Sequence, residues 1–135
     1  PENSNKHSLS LNITCIININ QESWRGAITQ ELFIKQIAPA RTFGQIEQVQ
    51  ALRNKGLARG SSFGNTVVCS HGIPLTTQRF PQELLKHKIL DFIGDLYLLG
   101  APFAGTIHVQ NPGHSSNCAI NAHFHEHPEL WQIDF

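Results

Sequence analysis

Apolar residues recur at every second position near the start of the chain. Each odd position from residue 9 to residue 19 is apolar, whereas the even positions are mostly polar. A period of two is typical of a strand with one buried face. We therefore predict a half-buried β-strand from Leu9 to Ile19.

The spacing changes to that of a helix further along the chain. Apolar residues three and four positions apart predict a long amphipathic helix from about Pro81 to Leu99. Proline is suited to the first turn of a helix, and Gly100 follows where the apolar pattern stops. This helix is the longest element that the sequence predicts.

Shorter elements give the chain a mixed α/β pattern. We predict helices at 30–38 and 45–55, strands at 66–69 and 106–110, and a loop or final helix from Gly113. The expected class is α+β. We expect a two-layer sandwich of a mostly antiparallel sheet, with two main helices on one face.

The predicted long helix carries a column of polar residues beside its apolar stripe. His87, Asp91 and Asp95 lie four residues apart, so they stack along one face. His87 and Asp91 are about 6 Å apart along the axis, and their side chains can converge on one cation. An imidazole nitrogen with a carboxylate oxygen suits zinc. The same spacing also occurs on exposed helix faces with ordinary polar pairs.

Length and charge restrict the class of protein. The chain has 135 residues, which is typical of one domain, and its ten basic and ten acidic residues cancel. No basic patch favours nucleic acid as a partner. No apolar run approaches a membrane span, and no cationic start precedes one as in a signal peptide.

The sulfur-containing residues add two expectations. The three cysteines, Cys15, Cys69 and Cys118, are too widely spaced for a Cys-x-x-Cys metal site and too few for a disulfide framework. They favour a reducing compartment, and we expect the protein to be cytoplasmic. The chain begins at Pro1 and has no methionine, so we expect a piece of a longer or processed protein.

Four motifs occur in order along the chain, at 40–44, 60–65, 87–96 and 113–115. The most specific motif is His-Lys-x-x-Asp-x-x-Gly-Asp, with Ala-Arg-Thr-Phe upstream of it. Together they resemble the C-terminal domain of UDP-3-O-acyl-N-acetylglucosamine deacetylase, the zinc amidase of lipid A biosynthesis. The resemblance covers residues 8 to 122, nearly the whole chain.

The resemblance implies a metal site shared between two domains. His87 and Asp91 match the two zinc ligands of the family's second domain. The third ligand, and the glutamate that acts as general base, belong to an N-terminal domain that has no counterpart in this chain. Two ligands are fewer than a catalytic zinc site needs. We therefore expect this chain alone to hold half of an active site.

The resemblance also implies roles for neighbouring residues. His114 matches a catalytic histidine that stabilises the oxyanion and protonates the leaving amine, and Asp95 matches the carboxylate that orients it. Thr42 matches a hydroxyl that contacts the tetrahedral intermediate. Lys88 matches a lysine that binds the polar head of the substrate. A solvent-exposed loop histidine, a capping threonine and a surface lysine are the alternative interpretations.

The family binds the substrate's acyl chain with an inserted βαβ element, which matches roughly 43–68. Phe43 and Phe63 are candidate substrate-binding residues in it. Any of the apolar residues there can instead pack the insert against the sheet. The full set of candidates is Phe43, Ile46, Val49, Leu57, Ala58, Phe63 and Val67.

This sequence departs from the family pattern in three places. Asn111 stands where a lysine is frequent, so a diphosphate contact there is not expected, and Ser61 replaces a frequent glycine. The tail 123–135 matches nothing in the family. Its alternating histidines at 123, 125 and 127 would share one face of a strand and bind a metal, or the tail is exposed and flexible.

Two functions remain open from the sequence. The first is the zinc-dependent deacetylation of UDP-3-O-acyl-N-acetylglucosamine, with this chain as the C-terminal part. The second is a non-catalytic metal- or ligand-binding domain that kept the fold without the first domain. With only two protein ligands, His87 and Asp91, this chain alone is expected to bind zinc weakly.

Overall fold

A computed structural model describes residues 11–16, 22–100 and 105–130 of the protein. The strand predicted at 9–19 is confirmed over 11–16, and the rest of it lies outside the described residues. The strands predicted at 66–69 and 106–110 are confirmed to within one residue. The described strands are β1 (Leu11–Ile16), β2 (Ser23–Ile28), β3 (Thr42–Gln45), β4 (Thr66–Ser70), β5 (Ile73–Pro74) and β6 (Gly105–Gln110).

The predicted helices are also present. The first helix includes a π-helical segment, and 3-10 turns flank the other three. The long helix ends at Gly100, which has a positive φ of 76°. Within the described residues, no helix is both long and apolar enough to cross a membrane. The helices are α1 (Gln30–Leu32, continued by Phe33–Ile37), α2 (Val49–Asn54, after Ile46–Gln48), α3 (Glu83–Leu96, continued by Tyr97–Leu99) and α4 (His114–Glu126, followed by Pro128–Leu130).

The strands form two three-stranded sheets, in the orders β2-β1-β6 and β3-β4-β5. Strand β1 pairs antiparallel with β2 and parallel with β6, while β4 pairs parallel with β3 and antiparallel with β5. The α+β class is therefore confirmed, but both sheets are mixed rather than mostly antiparallel. Alternation of apolar residues predicts a strand without indicating the direction of its partners. Parallel strands need a long connection between them, and helices provide such connections in this chain.

The second sheet contains the predicted βαβ unit. Strand β3, helix α2 and strand β4 follow one another, and the two strands pair in parallel with Thr42 opposite Thr66. Strand β5 extends this sheet beyond the range predicted for the insert. The unit places the start of β3 beside helix α3.

Helix α3 packs against both sheets. Its central apolar residues form one core cluster with Ile28 of β2 and Val109 of β6. Leu84, near its start, forms a second cluster with Val67 and Cys69 of β4. The apolar residues of α3 therefore pack against two sheets. The polar residues of the helix lie on its remaining face. The buried α3 residues of the first cluster are Leu85, Ile89, Phe92, Ile93 and Leu96.

The tail was predicted to be exposed and flexible, or a strand with its histidines on one face; over its described residues, 123–130, it is mostly helical instead. Helix α4 continues to Glu126, and a 3-10 turn begins at Pro128. The three alternating histidines therefore do not share one strand face. A helix turns by about 100° per residue, so His125 lies roughly opposite His123. Their alternation favoured a strand, but the regular helix before them continues through two of them.

Candidate active site

His87 is oriented by a backbone carbonyl group that precedes β3. Its Nδ1 lies 3.0 Å from the carbonyl oxygen of Ala40. Because a carbonyl oxygen only accepts hydrogen bonds, Nδ1 carries the proton and donates it. Nε2 is then the nitrogen that can bind a metal ion, as is usual for histidine ligands with a carbonyl partner.

Asp91 lies one helical turn beyond His87 on α3. Its Oδ1 is 3.4 Å from Nε2 of His87. Two ligands at about 2.0–2.1 Å from a tetrahedral zinc ion lie about 3.3–3.4 Å from each other. The two side chains are therefore separated by the distance that two ligands of one zinc ion require. Among the described residues, no group of three or more His, Cys, Asp or Glu side chains could hold a metal ion.

Asp95 lies one further turn along α3 and contacts His114 at the start of α4. Its Oδ2 is 2.8 Å from His114 Nδ1, which is the hydrogen bond that the sequence predicted. The Asp95 side chain is 15% exposed, whereas the His114 side chain is 68% exposed. The carboxylate thus holds one side of the ring, and the other ring nitrogen is available to a substrate from solvent.

Asn117 and Asn121 hold Asp95 from the same helix. Asn117 Nδ2 donates to Asp95 Oδ2 at 2.8 Å, and Asn121 Nδ2 donates to the backbone oxygen of Asp95 at 2.6 Å. Both asparagines are buried, and in the described part of the chain their Oδ1 atoms have no hydrogen-bond partner. Sequence reasoning missed both residues. The available signal was their spacing from His114, since positions i, i+3 and i+7 share one helix face.

Thr42 lies between two residues that contact His87. The carbonyl oxygen of Ala40 binds the ring, and Phe43 packs edge-on to it with 6.2 Å between the ring centroids. Lys88 also lies beside this segment, with its Nζ 5.7 Å from the centre of the Phe43 ring and 3.7 Å from Asp91 Oδ2. The structure therefore brings Phe43 and Lys88 to the His87–Asp91 pair and places Thr42 on the segment that contacts His87.

A buried ion pair fixes this segment to α3. The Nε and Nη2 atoms of Arg41 donate to the two carboxylate oxygens of Glu83 at 2.8 and 3.0 Å. Burial acts to raise the pKa of Glu83, but hydrogen bonds from Arg41 and from the backbone of Arg79 outweigh it and lower the pKa to about 2. Sequence reasoning did not identify this pair. The Arg41–Glu83 pair holds the segment next to Thr42 against α3, the helix that carries His87.

The residues predicted to bind the acyl chain divide into two groups. Phe63, in the loop between α2 and β4, has a 71% exposed side chain, and Ile46 and Leu57 are exposed as well. Arg41 Nη1 donates to the Phe63 carbonyl oxygen at 3.4 Å, which ties this loop to the same segment. Val67 is fully buried in the core instead, so it does not line a binding surface.

The sequence model of one family, UDP-3-O-acyl N-acetylglycosamine deacetylase, matches residues 1–126. The chain belongs to this family. The membership agrees with the resemblance that the four motifs carried. The match is wider than the predicted range of 8–122 and includes residues 123–126 of the tail, which were predicted to match nothing in the family. The last nine residues, 127–135, lie beyond it.

Curated relatives of the deacetylase family are similar over most of this chain. A UDP-3-O-acyl-N-acetylglucosamine deacetylase of Oleidesulfovibrio alaskensis is 42% identical over 115 residues, which covers 84% of this chain and 38% of the relative. Proteins of the same name from Chromobacterium violaceum and Chlamydia felis are 39% and 47% identical, covering 75% and 69% of this chain and 34% of each relative. The chain thus spans about a third of the length of these deacetylases.

Proposed function

We propose that this chain is the C-terminal part of a zinc-dependent deacetylase that hydrolyses the acetamide of UDP-3-O-acyl-N-acetylglucosamine in lipid A biosynthesis. The observation that carries the proposal is the order of side chains on α3. The His87–Asp91 pair, with its zinc-ligand separation, is followed one turn later by Asp95 in contact with His114. Membership of the deacetylase family supports the same reaction.

His87 and Asp91 would hold the zinc ion. The donor set suits zinc, and the hydrogen bond from His87 to Ala40 leaves Nε2 as the ligand atom. A zinc ion bound there would polarise the amide carbonyl and lower the pKa of a coordinated water. The third protein ligand and the general base would come from an N-terminal domain. This chain would be inactive without that domain.

His114 would act at the scissile amide as an acid. Attack of water on the carbonyl carbon forms a new C–O bond, and the C–N bond breaks when the amine nitrogen receives a proton. His114 would supply that proton from the ring nitrogen that does not contact Asp95. Asp95 would keep the ring oriented, and Thr42 would donate a hydrogen bond to the tetrahedral intermediate. The 2.8 Å contact between Asp95 and His114 supports this division of roles.

The substrate would be bound by residues next to the metal pair. Lys88 would contact the polar head, since its ammonium group lies between the Phe43 ring and Asp91. Phe43 and the exposed Phe63 would contact the acyl chain, which is apolar. The product of the reaction, a UDP-sugar with a free amine, fits a cytoplasmic location because nucleotide sugars are made and used there.

The test is co-expression of this chain with the part of the Oleidesulfovibrio alaskensis relative that it does not cover. Purified complexes are assayed for bound zinc and for release of acetate from UDP-3-O-acyl-N-acetylglucosamine. We expect zinc and activity in the complex, and loss of both in the variants His87→Ala and Asp91→Ala. The variant Lys35→Ala, at an exposed site on α1, is the control and should keep both. A stable complex with zinc but no acetate release contradicts the proposed reaction.

A second candidate is a non-catalytic metal-binding domain. Two ligands without a third among the described residues would suit weak metal binding rather than catalysis by this chain alone. The same experiment separates the two functions. If this chain binds zinc through His87 and Asp91 but forms no complex with the first domain, the non-catalytic function is supported.

A further inference from the structure

The C-terminal end of α4 brings two histidine rings together. His123 and His127 lie one helical turn apart, with 4.4 Å between their ring centroids and an angle of 49° between their planes. The backbone N–H of His127 donates to the carbonyl oxygen of His123 at 3.0 Å, so the turn that joins them is closed. Neither residue has a role in the proposed deacetylation.

The pair has the spacing of a metal site on a helix. Two histidines at i and i+4 direct their imidazoles to one side, where both can bind the same transition-metal ion. Most biological sites of this kind use neutral imidazole nitrogens. The two rings at 123 and 127 lie 4.4 Å apart between centroids, so rotation of the side chains can bring one nitrogen of each to a shared cation while the turn between them stays closed.

Glu129 supplies the partner that orients one of these rings. Its Oε1 lies 3.0 Å from Nδ1 of His127. The carboxylate accepts a hydrogen bond from Nδ1–H, and this leaves Nε2 of the neutral ring without a proton and able to bind a metal. The His127 side chain is 44% exposed, so a hydrated cation can reach it from solvent.

This pair is separate from the candidate active site. His123 follows His114 by nine residues, or about 13 Å along the helix. His127 and Glu129 also lie beyond the part of the chain that the family model matches. The pair thus extends from the matched part of the chain, which includes His123, into residues that the family model does not match.

We propose that His123 and His127 form a two-ligand site for a divalent transition-metal ion such as Ni²⁺, Cu²⁺ or Zn²⁺, with water in the other positions. Glu129 orients His127 and is not itself a ligand. A bound ion links the last turn of α4 to the residue that ends it. Since the ion binds the folded helix in preference to the unfolded chain, it stabilises the helix that carries His114.

Ni²⁺ titration of the 135-residue chain by calorimetry tests this site. The titration is made in a His87→Ala background, which removes the other pair. We expect His123→Ala and His127→Ala each to weaken binding by about tenfold or more, equivalent to about 1.4 kcal/mol. Glu129→Ala should weaken it by about tenfold, as is typical for a residue that orients a ligand. His125→Ala, on the other side of the same helix, should leave the affinity unchanged.

A second measurement needs no substitution in the tail. Paramagnetic Cu²⁺ added to the His87→Ala chain should broaden the NMR signals of His123 and His127 first. Copper is expected to bind more tightly than nickel or zinc. In thermal melts in the same background, Ni²⁺ should raise the Tm of the chain and of His125→Ala, and should not raise that of His123→Ala.

Three results would overturn the site. One is an unchanged Ni²⁺ affinity in both His123→Ala and His127→Ala. Another is an equal loss of Ni²⁺ affinity in His125→Ala, which would indicate that any two histidines of the tail are enough to bind the ion. The third is Cu²⁺ broadening centred on residues other than His123 and His127. None of these results bears on the proposed deacetylation, which is tested through His87 and Asp91.

Discussion

Asp95 accepts a hydrogen bond from His114 across the contact between two helices. The 2.8 Å distance joins Oδ2, in the last turn of α3, to Nδ1, in the first residue of α4. The same oxygen accepts from Asn117, so a single carboxylate atom fixes both the ring and the helix that carries it. The orientation of His114 therefore depends on the packing of α3 against α4.

Replacing His114 by alanine should impair chemistry without removing metal. In the complex with the first domain, we expect His114→Ala to lower kcat by about 10²–10⁴-fold, the usual range for a general acid. Its zinc content should stay unchanged, because His114 contacts Asp95 rather than the His87–Asp91 pair. Steady-state kinetics and metal analysis of the same sample check both parts.

The control for this variant is His125→Ala, an exposed histidine on the same helix. It should keep full activity. Asp95→Ala should lower kcat less than His114→Ala does, since Asp95 acts through the ring. Loss of zinc from His114→Ala, or undiminished activity, would contradict the assignment of His114 as the acid.

Asn117 should act as a positioning residue through Asp95. We expect Asn117→Ala to lower kcat with little change in KM, because the amide holds Asp95 Oδ2 and does not contact the substrate region. The measurement is a double-mutant cycle with Asp95→Ala, in which we expect a coupling energy of about 1 kcal/mol. If the two effects on the activation free energy simply add, Asn117 does not act through Asp95.

The buried pair of Arg41 and Glu83 should be important for stability. Glu83→Gln leaves the buried guanidinium without its counter-charge, and such a loss typically destabilises by about 3–5 kcal/mol. Glu31→Gln breaks the exposed i,i+4 pair with Lys35 and should cost less than about 1 kcal/mol. Urea unfolding of both variants, compared with the unsubstituted chain, measures the difference. Equal effects would show that burial of the pair has no energetic role.

Low pH should reduce the stability of the protein through the carboxyl group of Glu83. The pKa of Glu83 is lowered from 4.5 to about 2 in the folded protein, so its contribution to stability is fully present above pH 4.5. That contribution is lost as the pH falls from 4.5 towards 2, and it amounts to about 3 kcal/mol. The free energy of unfolding, measured between about pH 6 and pH 3, should fall more steeply for the unsubstituted chain than for Glu83→Gln. Parallel curves for the two proteins would contradict this.

Local patterns were enough to predict most of the elements. The apolar spacing of α3, the alternation of β1 and the position of Gly100 depend only on near neighbours in the chain, and each element was predicted within a few residues. The prediction of a flexible tail, with a strand as the alternative, was wrong for residues 123–126, because neither Pro128 nor the alternating histidines indicate a helix locally. The helix that precedes them decides otherwise, and its continuation depends on hydrogen bonds from one turn to the next.

The sequence by itself determined which residues share one face of α3, because His87, Asp91 and Asp95 are four apart on a regular helix. It also determined the family, through motifs whose residue types are specific. Only the tertiary structure decided what meets that face. Ala40 binds His87 from 47 residues away, Arg41 pairs with Glu83 from 42 away, and His114 reaches Asp95 from 19 away. Such contacts depend on how helices and sheets pack, and no local pattern records which distant residue a buried polar group will find.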